Sequence, residues 1–234
     1  MKPSPSSVPP HTEPDPVPRA EPLAHSPPVW PVHHAFSSIP IEPPSAISFD
    51  DALSSRRSIR SMQPAPLRTV VNLMAYATHA VAELAGDPLG RTKRPSPSAG
   101  ALHPVEIGLV HGRSNPRLFH CEPSSNVIQL LKPVDKRILR VLFARVRSML
   151  PEADGSLIVF LADFSKTAAA YNHSQSLVWR DAGALLQTVH LSAVAFGLAC
   201  CPLGILGSEA AASVFPNGNL QAVGMAVVGR LVSR

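Results

Sequence analysis

The distribution of proline divides this chain into two parts. Fourteen of its 26 prolines lie in residues 1–44, where the sequence begins MKPSPSSVPPHTEPDPVP. Proline fixes φ and lacks the backbone N–H that helices and sheets use, so this segment favours an extended, largely disordered conformation. We therefore predict a proline-rich tail over residues 1–44 and one folded domain over residues 45–234. The tail is either a docking segment for a proline-binding module or a solvated leader.

The composition provides enough apolar residues for a core but few charges. Hydrophobic residues make up 45% of the chain and charged residues 16%, against a usual charged share of about 25%. This balance excludes wholesale disorder and favours a subunit that buries surface against a partner. Three cysteines, two of them adjacent at positions 200 and 201, exclude a disulfide scaffold and predict reduced thiols in the cytoplasm.

The net charge of +5 raises the question of an anionic partner. The 21 Lys and Arg residues are spread along the chain, and aromatic residues make up only 5%. This pattern argues against a nucleic-acid-binding module, because such surfaces combine clustered charge with stacking rings. The most apolar stretch, residues 182–201, contains four polar side chains and predicts a buried helix rather than a membrane span.

Apolar periodicity predicts helices and strands without a strict βαβ rhythm. Ser48 and Asp51 form a capping-box variant, which predicts a short helix that ends before Arg56. The other predicted helices cover residues 67–83, 138–149 and 174–198, and the predicted strands cover residues 105–109, 117–122, 126–131, 157–162 and 220–232. The alternation over residues 105–109 is typical of a strand buried on one face. We infer an α+β fold in which helices cover a mostly antiparallel sheet.

Three segments are more polar or richer in small residues than a scaffold requires. The first, RRSIR over residues 56–60, offers three guanidiniums and a hydroxyl, which suits a phosphate but is also typical of a solvated basic turn. The second, RPSPSAGALHP over residues 94–104, has small residues that let backbone amides approach a flat ligand. The third, GLACCPLGILG over residues 197–207, turns on glycines that either face a cofactor or simply end a helix.

Several familiar chemistries are disfavoured by the motifs that the sequence lacks. His103 in the second segment has no His, Cys or carboxylate at metal-ligand spacing, so we predict a packed or surface side chain and no metal site. The chain has no Walker loop and no G-x-G-x-x-G turn. The absence of G-x-S-x-G and H-E-x-x-H motifs argues against a hydrolase.

Taken in order, the polar segments resemble the nitroreductase superfamily of FMN enzymes. Within it they resemble the SagB-type dehydrogenases, which include thiazole- and oxazole-forming oxidases of modified peptides. The matching stretches are SFDDALSSRRSIRSM, RPSPSAGALHPVEIGLV, LADFSKTAAAYN, WRDAGALLQTVHLSAVAFGLACCPLGILG and AVVGRL. They span about residues 40–234, the whole predicted domain. The resemblance implies a nitroreductase-like fold whose long buried helix lies at a homodimer interface, with FMN bound between the subunits.

The resemblance also implies roles for individual residues. Ten would contact FMN: Arg56, Ser58 and Arg60 at the phosphate and the pyrimidine side of the ring, Arg230 at the phosphate, Ser96, Ser98, Ala99 and Gly100 along the isoalloxazine, and Leu203 and Gly204 by backbone near flavin N5. A cation such as Arg60 would stabilise the negative charge of reduced flavin, which agrees with the chemistry of the residues themselves. Tyr171 would be the catalytic proton-transfer group.

One position departs from the peptide-azoline oxidases, which carry a Lys-Tyr pair that abstracts a proton while flavin takes a hydride. Tyr171 matches the tyrosine, but Ala170 stands where the lysine is expected. Lys166 lies four residues earlier and would substitute only if the segment is helical, so that both positions face one way.

The sequence therefore predicts an FMN-dependent oxidoreductase that transfers a hydride between flavin N5 and a small or peptidic substrate. NAD(P)H is one candidate electron donor, and neither nucleic acid nor a membrane is an expected partner. The alternative is a flavin-binding subunit, non-catalytic or weakly active, that supports a partner in a biosynthetic complex.

Overall fold

The computed structural model describes residues 14–38 and 40–232. The strands among them are β1 (Val17–Pro18), β2 (Val32–Ser38), β3 (Met62–Gln63), β4 (Ala82–Glu83), β5 (Thr92–Lys93), β6 (Val105–His111), β7 (Arg117–Cys121), β8 (Val127–Leu131), β9 (Ser156–Ala162), β10 (Tyr171–Asn172), β11 (Leu198–Leu203) and β12 (Gln221–Leu231). The helices are α1 (Phe49–Ser55), α2 (Leu67–Thr78), α3 (Lys136–Met149), α4 (Phe164–Ala170), α5 (Gln175–Ala195) and α6 (Ser208–Val214).

One large sheet forms the centre of the domain. Its strand order is β11-β12-β9-β6-β7-β8-β2, with β3 beside β12, and each of these strands pairs with its neighbours in antiparallel fashion. Helices α2 and α5 cover one face of the sheet, and α3 and α6 cover the other. The predicted α+β fold with a mostly antiparallel sheet is confirmed.

Several of the predicted elements differ from the observed ones. The helix predicted to reach residue 198 ends at Ala195, and residues 198–203, predicted as part of a turn, form strand β11. Strand β6 was predicted to bury one face, but both of its faces are covered, because β6 lies in the middle of the sheet between β7 and β9: Ile107 packs on the α2–α5 side and Val110 on the α3–α6 side. Helix α2 ends at Thr78 rather than near residue 83. After it the chain extends into β4, whose pairing with β5 supplies the backbone bonds that a longer helix would have made.

The N-terminal segment is extended, as its prolines predict, but from residue 17 it is joined to the folded domain rather than disordered. Strand β1 pairs with β10, and β2 forms the edge of the large sheet beside β8. The Trp30 ring stacks on His120 with centroids 3.8 Å apart and contacts Phe215 edge-on. These contacts of the Trp30 ring hold the segment against the domain, although its proline content alone predicts disorder. The prediction for residues 1–13 lies outside the described residues.

Helix α5 buries only one of its faces within a single chain. The buried face packs on the sheet through Val178, Ala182, Leu185, Val189 and Ala193. On the opposite face Gly183 and Gln187 are exposed. The apolar stretch over residues 182–201 was predicted to be a buried helix, and α5 is buried on one face and exposed on the other. Neither α5 nor any other helix in residues 14–38 and 40–232 combines the length and apolarity needed to cross a membrane.

Candidate functional site

Residues 96–100, which we call the serine bend, are held by one carboxylate of α5. Asp181 accepts hydrogen bonds from the Ser98 hydroxyl and, at 3.1 Å, from the Ala99 N–H. The Ser98 oxygen in turn accepts a bond from the backbone N–H of His103 at 2.8 Å. Ser96 is buried and Gly100 is exposed, with Ser98 and Ala99 half-buried between them. The bend is therefore a fixed feature that presents small residues and backbone to the surface.

A cleft of about 480 Å³ opens beside the serine bend. Ser96 and Ser98 line one side of it, and the basic side chains of Arg91 and Lys93 lie at its rim. His103, which also lines this cleft, is a packed side chain. Its burial, with the nearby charge of Arg94, lowers its pKa to about 4, so His103 is neutral at physiological pH.

Asp181 is the residue of this site that sequence analysis missed. It is 8% exposed, and burial raises its pKa although the hydrogen bonds from Ser98 and Ala99 act in the opposite direction. The signal was an acidic residue in the second turn of a mostly apolar helix. A buried carboxyl needs hydrogen-bond donors, and the serine bend supplies them.

We expect Asp181→Ala to lower the free energy of unfolding by about 2–4 kcal/mol, because two donors of the bend lose their acceptor and each unsatisfied group costs about 1–3 kcal/mol. Urea unfolding of the variant beside the wild type measures this difference. Asp154→Ala is the matched control, since Asp154 pairs with Arg113 on the surface and both side chains are 46% exposed. Equal stability of Asp181→Ala and the wild type would contradict the role of this carboxylate.

Tyr171 follows α4 and places its hydroxyl against the serine bend. A Cβ built on Gly100 would lie 2.8 Å from the Tyr171 hydroxyl oxygen, closer than side chains approach one another. Gly100 also has a φ of 57°, in the left-handed region, so both the backbone and the contact favour glycine. The candidate catalytic residue and the serine bend are thus neighbours in one copy of the chain.

The segment that contains Lys166 and Ala170 is helical, which is what Lys166 needs to substitute for the missing lysine. The segment is helical from Phe164 to Ala170, so Lys166 and position 170 lie one turn apart on the same face. The Lys166 side chain lines a polar cavity of about 420 Å³ that shares Arg94 and His103 with the cleft beside the bend. Burial lowers the pKa of this ammonium, while the nearby Glu106 carboxylate acts in the opposite direction. Lys166 has no ion-pair partner within 4.0 Å among the described residues.

Glu106 is the charged centre of this polar cavity, and sequence analysis did not identify it. Its Oε1 accepts a bond from the Arg94 guanidinium at 3.1 Å, and its Oε2 lies 3.5 Å from Nε2 of His120. Burial alone would raise the pKa of Glu106, but Arg94, together with His120, lowers it to about 2. The carboxylate is therefore ionised at physiological pH and balances Arg94.

Arg56, Ser58, Arg60 and Arg230, which we call the arginine corner, lie on two segments that contact the first half of β11, at Cys200 and Leu198. The N–H of Ile59 donates to the Cys200 carbonyl at 3.0 Å, which lays residues 56–60 along the strand. Arg230 lies opposite Leu198 in the β11–β12 pair.

The cations of the arginine corner are not neutralised by carboxylates. Arg230 donates to the Gln63 side chain at 2.7 Å. Within the described part of the chain none of the three arginines forms an ion pair. Three guanidiniums and a hydroxyl without a carboxylate have the composition of a phosphate site.

Helix α5 separates the arginine corner from the serine bend within one copy. Nε2 of His190 donates to the Arg57 carbonyl at 3.2 Å, whereas Asp181 holds the bend. Burial, with the nearby Arg56 guanidinium, lowers the pKa of His190, which places Arg56 on this side of the helix. Nine residues of helix correspond to about 13 Å of length and about two and a half turns, which places the two side chains about 180° apart around the helix axis. The two groups therefore lie on opposite sides of α5.

Leu203 and Gly204 lie at the other end of β11 from the arginine corner. At about 3.3 Å per residue, Gly204 is roughly 13 Å from Cys200, where Ile59 is bonded. The Leu203 side chain packs toward α3 and α6, and Gly204 is exposed, with no atom within 4 Å of a Cβ built on it. The structure does not bring these two residues next to the arginines of the same copy.

Comparison with known proteins matches most of this sequence to one protein family. Residues 53–230, more than half of the chain, match the family model described as Nitroreductase family. No curated protein matches the sequence.

Solved structures share the fold at low sequence identity. A candidate nitroreductase from Ralstonia eutropha JMP134 is 18% identical with a TM-score of 0.65, covering 92% of this chain and 99% of its own. The E. coli microcin synthetase McbBCD complex, with truncated pro-MccB17 bound, is 18% identical with a TM-score of 0.58 over 81% of this chain and 75% of its own. A candidate nitroreductase from Anabaena variabilis is 19% identical with a TM-score of 0.57, over 69% of this chain and 34% of its own.

Proposed function

This chain belongs to the nitroreductase family, whose members are typically flavin-dependent oxidoreductases, and we propose that it is an FMN-dependent oxidoreductase. The observation that carries the proposal is the arginine corner, whose two segments contact the first half of β11 and whose three arginines form no ion pair among the described residues. A monophosphate ester is the part of FMN that such a group would hold. When bound, FMN supplies an N5 position that accepts or donates a hydride.

The residues of the chain fit this cofactor in chemistry and size. Arg56, Ser58 and Arg230 would hold the phosphate, and Arg60 would lie at the pyrimidine side of the ring, where a fixed cation favours the anionic reduced form. Ala99 and Gly100 leave a flat surface against which an aromatic ring system packs closely. The backbones of Leu203 and Gly204 would lie near N5, where Gly204 leaves open space.

We infer that each cofactor site is shared by two copies of the chain. The arginine corner and the serine bend of one copy lie on opposite sides of α5, so one ligand reaches both only if a second copy supplies one of them. The exposed face of α5, with Gly183 at its centre, gives the close approach that a homodimer of this kind needs. The low content of charged residues agrees with such a buried interface.

Tyr171 is the proposed proton-transfer residue. Its hydroxyl lies against Gly100 of the bend and is therefore beside any ring that packs there. Lys166 lies one turn from the position at which the peptide-azoline oxidases carry lysine, and its ammonium faces the polar cavity. We propose a small or peptidic substrate, in the manner of the SagB-type dehydrogenases.

The proposal predicts that purified protein is yellow or takes up added FMN. Absorption at the flavin bands, followed by the oxidation of NAD(P)H with a nitroaromatic or quinone acceptor, measures binding and turnover separately. Colourless protein that fails to bind added FMN would refute the assignment of the cofactor.

A second candidate function is a flavin-binding subunit that supports a biosynthetic complex. Two observations favour it: Ala170 at the expected lysine position, and the shared fold with McbBCD, a synthetase complex whose structure holds a truncated peptide precursor. The same assay distinguishes the two functions. Flavin that is bound but never reduced by NAD(P)H or substrate would favour the non-catalytic flavin-binding subunit. Flavin that turns over would favour the oxidoreductase.

A further inference from the structure

The N-terminal segment is bonded to the end of the helix that precedes Tyr171. The N–H of Arg19 donates to the Ala170 carbonyl at 2.8 Å, and its Nε donates to the Ala168 carbonyl at 2.9 Å. The N–H of Leu23 donates to the Ala169 carbonyl at 2.9 Å. The last carbonyls of a helix have no partner within the helix, so these three bonds cap the C-terminus of α4 from outside.

A fourth contact fixes the other end of α4. His25 Nε2 lies 2.8 Å from Oδ2 of Asp163, and the two side chains are only 5% and 8% exposed. Asp163 is also the N-cap of α4, where its Oδ1 accepts bonds from the N–H groups of Ser165 and Lys166. Residues 17–25, which we call the N-terminal strap, therefore contact α4 at both ends.

Helix α4 depends on such contacts because it is short. It has seven residues, and an isolated helix of that length is unstable in water. The residue after it, Tyr171, pairs with Pro18 of the strap in the β1–β10 ladder. The backbone on both sides of the Tyr171 side chain is thus set by the strap.

We propose that the N-terminal strap is a positioning element of the catalytic site, in which Arg19 acts through Tyr171. The proposal rests on the proposed function, which gives the Tyr171 hydroxyl a role beside the flavin ring. The hydroxyl lies so close to Gly100 that a Cβ built there would be 2.8 Å from its oxygen. A shift of about 1 Å at the end of α4 would move the hydroxyl off the bend, and misplacement of this size costs up to about a hundredfold in rate.

The test is a double-mutant cycle between Arg19→Gln and Tyr171→Phe. Arg19→Gln keeps the backbone N–H and removes the guanidinium bond to Ala168, so we expect kcat for NAD(P)H-dependent quinone reduction to fall about tenfold. The KM for the acceptor and the affinity for FMN should stay within about twofold. In the Tyr171→Phe background, Arg19→Gln should change kcat by less than about twofold, because the group that Arg19 positions is already missing.

Arg137→Gln is the matched control. Arg137 is an exposed arginine, and among the described residues its side chain is bonded to Asp135 alone. Its removal should leave kcat unchanged in both backgrounds. If Arg19→Gln does not fold, Leu23→Pro serves in its place. It removes one donor to α4 from a segment that is already rich in proline and should lower kcat in the same direction.

Several outcomes would overturn the proposal. One is an Arg19→Gln loss of equal size in both backgrounds, which would mean that Arg19 acts independently of Tyr171. Another is unchanged kcat in Arg19→Gln. A third is full turnover of Tyr171→Phe, which removes the group to be positioned but leaves an FMN oxidoreductase in place.

If the wild type shows no turnover at all, the proposed function fails. Hydrogen exchange then tests separately whether the strap holds the backbone at Tyr171. Faster exchange of amides 164–172 in Arg19→Gln, with the Arg137→Gln control unchanged, supports the strap as the element that holds the Tyr171 backbone. Unchanged exchange of these amides overturns it.

Discussion

Replacing Arg56 and Arg60 together by alanine is expected to weaken FMN binding by about a hundredfold or more. Each charge-assisted hydrogen bond contributes about 1.5–3 kcal/mol, and about 1.4 kcal/mol corresponds to a tenfold change in Kd. Neither arginine forms an ion pair among the described residues, so the double substitution leaves no carboxylate unpaired and should change the free energy of unfolding little. Quenching of FMN fluorescence on titration measures the Kd.

The control for this experiment is the neighbouring Arg57→Ala. Arg57 contacts the fold through its backbone carbonyl, which accepts from His190 and which alanine keeps. Its side chain is exposed and has no role in the proposed site. We expect Arg57→Ala to bind FMN within about threefold of the wild type. Unchanged affinity in the Arg56→Ala/Arg60→Ala variant would refute the assignment of the arginine corner to FMN.

The fold was predictable where a local signal decides the structure. The Ser48 and Asp51 pair forms the expected cap, with the Asp51 N–H donating to the Ser48 hydroxyl at 3.0 Å. The apolar run that became β9 is buried at every residue, as a run without alternation predicts. The end of α2 was not predictable, because the pairing of β4 with β5 decides it and no residue within the helix does.

The site shows the same division between local and distant determinants. The sequence indicates which segments are unusual, because clusters of arginine and runs of small residues are local features. It does not indicate their partners: Ser98 is bonded to Asp181, 83 positions away, and Arg19 to Ala168, 149 positions away. A single sequence carries no record of such pairings. The strap was therefore predicted to be disordered, because its proline content indicates an extended backbone but not the contacts that the strap makes with α4.

Mixing two variants that each bind FMN weakly is expected to restore tight FMN binding. One variant is Arg56→Ala/Arg60→Ala, which lacks the arginine corner. The other is Ala99→Trp, which places a large ring on the half-buried serine bend. If each site takes its arginine corner from one copy and its bend from the other, a heterodimer of the two variants contains one intact site and one site with both defects.

Refolding an equimolar mixture should form about half heterodimers, and bound FMN should reach about a quarter of the wild-type amount. At an FMN concentration that just saturates the wild type, each variant refolded alone should bind little. The control mixes Arg56→Ala/Arg60→Ala with Arg230→Ala, two variants that are defective in the same corner. Every site of that heterodimer lacks part of the corner, so its binding should stay below that of the first mixture. If the corner and the bend of one copy form a site together, every site in the first mixture is defective, and the absence of restored FMN would exclude the shared site.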